Sequence, residues 1–365
     1  MLDNAFRLLK EINDHSYEAY IVGGFVRDYL LGIESNDIDI CTNATPKDIR
    51  EIFNDKCLPL EDYGSITVVI KGINYEITTY RKEIGYSDNR HPNEIKYIND
   101  LREDLLRRDF TINTICMDKD GNIIDYLDGK KDLGKRLIRT VGDSYTKFNE
   151  DALRILRAIR FATILNFNLD DDLKEAILKT KHLLKNISYT RKKSELDKIF
   201  NSPNFKKGIK TILDLGLDKE LEISNLYKVL DSDVSSSIGI WSILNVSDKY
   251  PFNKNELDII GDVNEVVALD NLNPSVLYKY GLYVNSVAGK IKKKDAKKII
   301  EAYNNLIIKS RKEINVTSEE IMAILKKEPG EYLKDIYDDI EREILYNRLK
   351  NEKKSICEYI KNKYS

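Results

Sequence analysis

Cysteine is scarce in this chain, and its four copies (Cys41, Cys57, Cys116, Cys357) form no CxxC pair and have no histidine at zinc-ligand spacing. A disulfide framework and a structural zinc site are therefore not expected. Histidine is scarcer still: His15, His91 and His182 are the three, and none adjoins an aspartate. A histidine-based metal centre is equally unsupported, so any metal must rest on carboxylate oxygens, the hard-ligand chemistry of magnesium. Long apolar runs are missing too, and none approaches the roughly 18 residues of a membrane span. Met1 to Lys10 is amphipathic and mixes acid with base, unlike a secretion signal. A cytoplasmic location is expected. Repeats and low-complexity tracts are also lacking.

What is present is ordinary soluble-protein material, 42% hydrophobic and 33% charged. A length of 365 residues exceeds what one core usually serves, so a catalytic domain with one or more helical domains is expected. The net charge of −2 conceals segregation. Arg136 to Lys210 carries 17 Lys and Arg against 9 Asp and Glu, whereas Thr211 to Asp270 carries 4 against 12. Basic residues predominate again from Asn271, with the run IKKKDAKK at Ile291 to Lys298. Two basic zones around an acidic spacer suit an extended polyanion that touches the protein in more than one place. Solvated helix faces would give the same counts, and charge alone does not choose.

Up to about Val141 the pattern is mixed α/β. Tyr20 to Val22 is a short strand entering Gly23-Gly24, and Phe25 to Leu31 is a helix closed by Gly32. Asp37-Ile38-Asp39-Ile40 alternates polar and apolar, a period-2 strand. Ile66 to Ile70 and Tyr75 to Tyr80 are strand-like runs joined through Gly72-Ile73-Asn74, a hairpin signal. Helical periodicity then takes over, as in Ala152 to Leu165 and Leu173 to Leu184. From Asn271 onward the chain reads as wholly helical, with a break at Pro329-Gly330. Thr211 to Tyr280 carries the least signal.

In a strand, residues two apart share a face, so Asp37 and Asp39 project together while Ile38 and Ile40 enter the core. Adjacent carboxylates repel unless a cation lies between them, and this donor set suits Mg²⁺. Such a pair can hold two ions, one activating an attacking hydroxyl and one neutralising a leaving pyrophosphate. Alone, a DxD also fits exposed strand acids or a sugar-nucleotide transferase. The preceding YIVGGFVRD shifts the balance. Glycines between strand and helix leave backbone N–H groups available and let a phosphate approach closely at Gly24. Arg27 adds a fork-shaped donor for the same triphosphate. Two glycines also make a tight turn, but thirteen residues before a carboxylate pair a nucleotide site is the better reading.

These segments and those that follow resemble the nucleotidyltransferases that include bacterial tRNA CCA-adding enzymes and poly(A) polymerases. GGFVRD (Gly23 to Asp28), DID (Asp37 to Asp39), YEITTYR (Tyr75 to Arg81) and RRDFTIN (Arg107 to Asn113) occur in the family's order and spacing. EDALRILRAIRFA (Glu150 to Ala162) and a weaker SYTRKKSEL (Ser188 to Leu196) continue it, and nothing specific is recognised beyond about Ile209. The resemblance implies a third carboxylate, Glu76, which by itself is only an acid in a hairpin. It implies that Arg108 meets triphosphate or base and that Asp109 and Asn113 serve the ribose, whose 2′-OH both donates and accepts. A local salt bridge and helix cap is the plainer role for Arg107-Arg108-Asp109. Arg81 to Arg107 reads as a polar loop similar to one that CCA-adding members carry and CC-only members lack, with His91 a polar loop residue. Thr114 and Thr190 depart from the family pattern, while Arg191 and Glu195 keep it.

The segment from Glu150 can be read from chemistry. On one helix, Asp151, Arg154 and Arg157 would fan over about 120° while Leu153, Leu156 and Ile159 pack inward. Cytosine presents an amino donor beside a ring-nitrogen acceptor, adenine presents the same order, and guanine and uracil present the reverse. An Asp151–Arg154 pair then accepts C and A and strands buried groups against G and U, at roughly 1–3 kcal/mol per lost bond. No template is required. Arg157 and Arg160 extend the basic spiral. A salt-bridged surface helix is the alternative.

These readings converge on an α+β fold. Residues 1–139 form a nucleotidyltransferase head, followed by an elongated all-α region of neck (140–210, carrying the nucleotide-selecting helix and an RNA-binding surface), body (211–280) and tRNA-contacting tail (281–365). The expected activity is template-independent addition of CCA to the 3′ end of tRNA from CTP and ATP, by two-metal transfer with Mg²⁺ and release of pyrophosphate. Asp37, Asp39 and Glu76 are the expected catalytic acids. Lys292, Lys293 and Lys294 are the expected RNA contacts. Neither a membrane nor a protein partner is called for. The rivals are an A-adding enzyme, a poly(A) polymerase and, from another class, a non-catalytic RNA-binding relative, against which both metal acids speak.

Overall fold

The computed structural model describes residues 1–58, 64–86 and 92–365. The chain forms two compact units, Met1–Ile223 and Ser224–Ser365.

In the first unit, strands β1 (Ala19–Val22), β2 (Asp39–Thr42), β3 (Ser65–Ile70), β4 (Ile73–Thr79), β5 (Arg81–Tyr86), β6 (Pro92–Tyr97), β7 (Cys116–Met117) and β8 (Ile123–Ile124) follow in sequence. Six of them make one sheet in the order β3-β4-β2-β1-β7-β8. Its core face is supplied by period-2 apolar residues, with Ile21, Ile40, Ile66 and Val68 fully buried. Register decides where the chemistry goes. The antiparallel β1–β2 pair sets Val22, the residue before Gly23, against Asp39, and the parallel β2–β4 pair sets Glu76 on the other side of Asp39.

Three expectations shift in position. Strand β2 begins at Asp39, and Asp37 and Ile38 lie in the segment before it. The alternation survives this, because Ile38 and Ile40 are buried and Asp37 is exposed. The β3–β4 turn is Lys71-Gly72, with φ of 52° and 76°, and Ile73 already pairs with Ile70. Two positive-φ residues twist the chain in the sense that matches a tight hairpin, which Gly72 tolerates at little cost. The stretch Arg81 to Arg107 is not a loop throughout: β5 and β6 pair antiparallel, and a helix follows at Leu101–Leu106. Its inward positions include the charged Arg81 and Glu83 while Ile84 and Tyr97 face outward, so no apolar alternation marks these strands in the sequence. His91 lies outside the described residues.

The rest of the first unit is mostly helical, including Ser144–Glu150, Leu153–Ile164 and Tyr189–Phe200, with one short parallel pair between Leu137–Ile138 and Asn168–Leu169. The second unit is built of helices among its described elements, and the weakly patterned acidic stretch contributes Ser237–Leu244 and Lys254–Ala268 to it. Pro274–Ile291 is kinked at Gly281 (φ 71°), whose carbonyl accepts a hydrogen bond from Asn285 Nδ2 at 2.8 Å. A second core gathers Ile336, Ile340, Ile344, Ile356 and Ile360, at helical spacing on Tyr332–Leu345 and Lys353–Tyr364. The break at Pro329-Gly330 falls between Ser318–Leu325 and Tyr332–Leu345. No described helix is long and apolar enough to cross a membrane.

Candidate active site

A cleft of about 670 Å³ in the first unit collects the predicted nucleotide residues. Gly24, Arg27, Asp37, Asp39, Arg108, Asp109, Asn113, Asp151, Arg154, Arg157 and Arg160 all line it. So do Arg81, Glu83, Ile95, Arg107 and Phe161, which sequence reasoning had not placed there. Seven arginines face five carboxylates across this surface, an excess of cation that suits a triphosphate.

The floor is the sheet end. Gly23, at φ 84°, stands just before the helix Gly24–Leu31. Any side chain there would be strained, and a Cβ would lie 3.6 Å from both Asp39 Oδ2 and Arg108 Nη1. Asp39 is therefore beside the glycine turn and beside Arg108. Its carboxyl is pushed up to about 6, by burial first and then by the charges of Asp37 and Glu76, with Arg108 opposing. This crowding is what a divalent cation would relieve, and the oxygen donors fit Mg²⁺. Glu76 adds to that field but is exposed and does not line the cleft. Among the described residues no three acidic, cysteine or histidine side chains gather closely enough to hold one ion. The structure brings Asp37 and Asp39 into the cleft and sets Glu76 beside Asp39 on the neighbouring strand.

Above the floor runs a polar relay. Arg27 chelates Asp28 through Nε and Nη2 (2.8 and 2.9 Å) and donates from Nη1 to Asn113 Oδ1 at 2.8 Å. Asn113 donates in turn to Asp109 Oδ1 (3.1 Å), and Asp109 Oδ2 accepts two bonds from Arg157, at 2.8 and 2.6 Å. Burial alone would raise the Asp109 carboxyl; Arg157, Asn113 and the Phe110 N–H outweigh it and hold it near 2. Arg27, Arg157 and Arg160 all stack on the ring of Phe161, with guanidinium-to-centroid distances of 5.1, 5.5 and 4.2 Å. An aromatic face lets like charges cluster in a fixed array.

Because the folded carboxyl of Asp109 is depressed, its stabilising contribution is present in full above the ordinary value of 3.8 and is lost as pH falls toward 2. Asp109→Asn should therefore melt below the parent by a constant margin from about pH 7 to 5, and that margin should shrink below about pH 4. Thermal melts across this range check it; a margin that grows on acidification would contradict the ion pair.

The base-selecting helix needs correction. Asp151 is not on the helix with Arg154: it joins Ser144–Glu150 to Leu153–Ile164 in extended conformation (φ −140°, ψ 105°). The reason is local. An aspartate's short side chain competes for nearby backbone donors, and here Oδ1 accepts the Leu153 N–H two residues on at 3.0 Å, one residue ahead of the N-cap Ala152. Asp151 and Arg154 still meet the same cleft but do not pair. Asp151 is held by Arg191 (3.2 Å), and Arg154 by Glu150 together with the carbonyls of Lys147 (3.0 Å) and Arg107 (3.2 Å). Arg160 is held by Glu195 at 3.0 Å. Arg191 and Glu195 thus stand directly behind the cleft, and the retained residues of SYTRKKSEL were the sequence signal for them.

Lys292, Lys293 and Lys294 lie in the second unit, after the helix Pro274–Ile291. Lys293 and Lys294 are exposed, whereas Lys292 is half-buried and donates from Nζ to the Leu269 carbonyl at 2.6 Å.

The comparisons with known proteins agree with this geometry. Residues 19–139 match the model "Poly A polymerase head domain", 166–223 "Probable RNA and SrmB- binding site of polymerase A", and 266–360 tRNA nucleotidyltransferase domain 2. The CCA-adding enzyme of Staphylococcus haemolyticus (strain JCSC1435) is 35% identical over 393 aligned residues, covering 99% of this chain and 98% of the relative. That of Bacillus pumilus (strain SAFR-032) is 35% identical, covering 98% and 96%. The crystal structure of the Bacillus stearothermophilus CCA-adding enzyme in complex with CTP has a TM-score of 0.85 at 28% identity, covering 98% of this chain and 96% of that one. With likeness at that level running from end to end, and a cleft built from the motifs themselves, the chain belongs to the CCA-adding enzyme family.

Proposed function

We propose that this chain adds C, C and A to the 3′ end of tRNA from CTP and ATP, without a template and with release of pyrophosphate. The observation that carries this is the single cleft joining the Gly23-Gly24 turn, the Asp37–Asp39 pair and the Asp151 and Arg154 side chains. Full-length relatives that are CCA-adding enzymes, and a fold neighbour solved with CTP, support it.

Asp37 and Asp39 would hold Mg²⁺, which supplies charge neutralisation for pyrophosphate and eases loss of the proton from the attacking 3′-hydroxyl. The chain's own groups do the rest. Backbone N–H groups at the start of Gly24–Leu31, with Arg27 and Arg108, take the phosphates. Asp109 and Asn113, locked to each other and to Arg157 and Arg27, present a fixed acceptor and donor to the ribose. Asp151 and Arg154 read the base edge, and Arg157 and Arg160 complete the cationic wall. Glu76 acts through the field it sets at Asp39.

We assign the head, neck, body and tail to 1–139, 140–210, 211–280 and 281–365, and place the reaction in the cytoplasm, where its three substrates meet. Basic residues of the neck and tail would contact tRNA phosphates, a salt-dependent term. Neutralising Lys292, Lys293 and Lys294 together should raise the KM for tRNA and flatten its salt dependence, with little change in the KM for ATP. Lys293 and Lys294 should account for most of it, since Lys292 already bonds to Leu269. An unchanged tRNA KM would make the run a solvated face. For the activity itself, tRNA lacking its terminal CCA should grow by two residues with CTP alone and by three with CTP and ATP. Growth with UTP or GTP alone would defeat the assignment.

A further inference from the structure

We propose that Asp104 is a positioning residue of the nucleotide site, tying the β5–β6 hairpin to the arginines of the cleft. It sits on the helix Leu101–Leu106 and is fully buried, at 0% exposure. A buried carboxylate is stable only if its neighbours neutralise and hydrogen-bond it. Two elements of the cleft do so. Oδ1 accepts the backbone N–H of Arg81, the first residue of β5, at 3.1 Å, and Nε of Arg107 at 2.9 Å. Arg81 in turn pairs with Glu83 (3.0 Å), and Glu83 reaches Arg107 (3.6 Å), so the hairpin and RRDFTIN close a circuit around this one carboxyl.

The other oxygen is the informative one. Oδ2 lies 3.6 Å from Arg108 Nη2 and has no hydrogen-bond partner, and Nε of Arg108 is buried without a partner as well. Arg108 also borders Asp39, since both flank Gly23. It therefore stands between two acids. Asp39 alone would draw the guanidinium across the floor of the cleft and away from incoming phosphates. Asp104 beneath balances that pull and keeps Arg108 directed at the triphosphate. The hairpin is coupled to the same balance because its first N–H is bound to the same carboxyl.

This rests on Arg108 being a triphosphate contact, so the test separates the two claims. CTP and CMP binding to the full chain are measured by calorimetry for the parent, Asp104→Asn and Arg108→Ala. Asp104→Asn keeps an acceptor for Arg81 and Arg107 but turns an uncharged amide toward Arg108. It should weaken CTP roughly tenfold, as expected for one charge-assisted bond, and change CMP by less than about twofold. Arg108→Ala should likewise weaken CTP and spare CMP. Equal weakening of CTP and CMP in Asp104→Asn, or parental binding of both while Arg108→Ala loses CTP, overturns the role of Asp104. Should Arg108→Ala keep the parental preference for CTP over CMP, the assignment of Arg108 itself falls. Asp104→Ser, which removes the charge without an opposed amide, gives the same readout if Asp104→Asn fails to fold.

Discussion

Replacing Asp37 or Asp39 with alanine should reduce nucleotide transfer on the order of a thousandfold or more, the scale on which removal of an electrostatic catalytic group is felt. The structure adds a sign that separates this from misfolding. Asp39 is crowded by Asp37 and Glu76 and held up to about 6, so the pair repels in the absence of a cation. Removing one member relieves that repulsion, and the variants should melt no lower than the parent. Binding of tRNA should be nearly unchanged, because the basic residues assigned to it lie elsewhere in the chain. Single-turnover transfer, melting and filter binding on the same preparations check all three. Activity within about tenfold of the parent in either variant would remove the metal assignment. Glu76→Gln, by contrast, should cost far less than Asp39→Asn, because Glu76 does not line the cleft.

The second large effect is on nucleotide choice. Asp151→Ala should lose discrimination together with rate: the acceptor for the N4 or N6 amino group disappears, and UTP and GTP no longer meet an opposed acceptor. Arg154→Ala should act on the other half of the edge, at N3 of cytosine or N1 of adenine. Relative kcat/KM should change by about 1–3 kcal/mol for each, the range of one buried hydrogen bond. Both side chains are anchored. Arg154 is fastened by Glu150 and two carbonyls, and Asp151 by Arg191 and the Leu153 N–H, so neither is at liberty to reorient for the wrong base. Rigid donors and acceptors exclude a mismatched edge where mobile ones would adapt. If both variants lose rate with ATP yet reject UTP and GTP as strictly as the parent, base reading lies elsewhere and these residues only hold the neck together.

Much of the site was legible because its residues are fixed by local rules. A strand leading into Gly23-Gly24 and a period-2 acid pair each follow from short-range geometry, and the sheet register then brings them together. Asp151 was misplaced for a reason of the same kind. The i, i+3, i+6 spacing of Asp151, Arg154 and Arg157 is real, but the short acidic side chain takes the Leu153 N–H two residues on, which holds Asp151 extended ahead of the helix. The β5–β6 hairpin looks like a loop in sequence because charged Arg81 and Glu83 occupy its inward positions and Ile84 and Tyr97 its outward ones, so no apolar alternation is there to be seen. What no local rule shows is partnership over long separations: Arg157 with Asp109, Arg160 with Glu195 and Arg191 with Asp151 are set by how helices pack. The stretch from Thr211 carries little signal because Leu226–Leu230 and Ser237–Leu244 are short and the longer Lys254–Ala268 buries only Ile260, Val263 and Val266, although Trp241, Tyr250 and Phe252 cluster at its centre.

The most direct test of the proposed activity is to sequence the RNA 3′ ends formed from three substrates with all four nucleotides present: tRNA ending at the discriminator base, tRNA ending in CC, and an unrelated RNA. Addition of CCA to the first and a single A to the second, with the third left unextended, is the predicted result. Products confined to the CC-ending tRNA, or long A tails on the unrelated RNA, would contradict it.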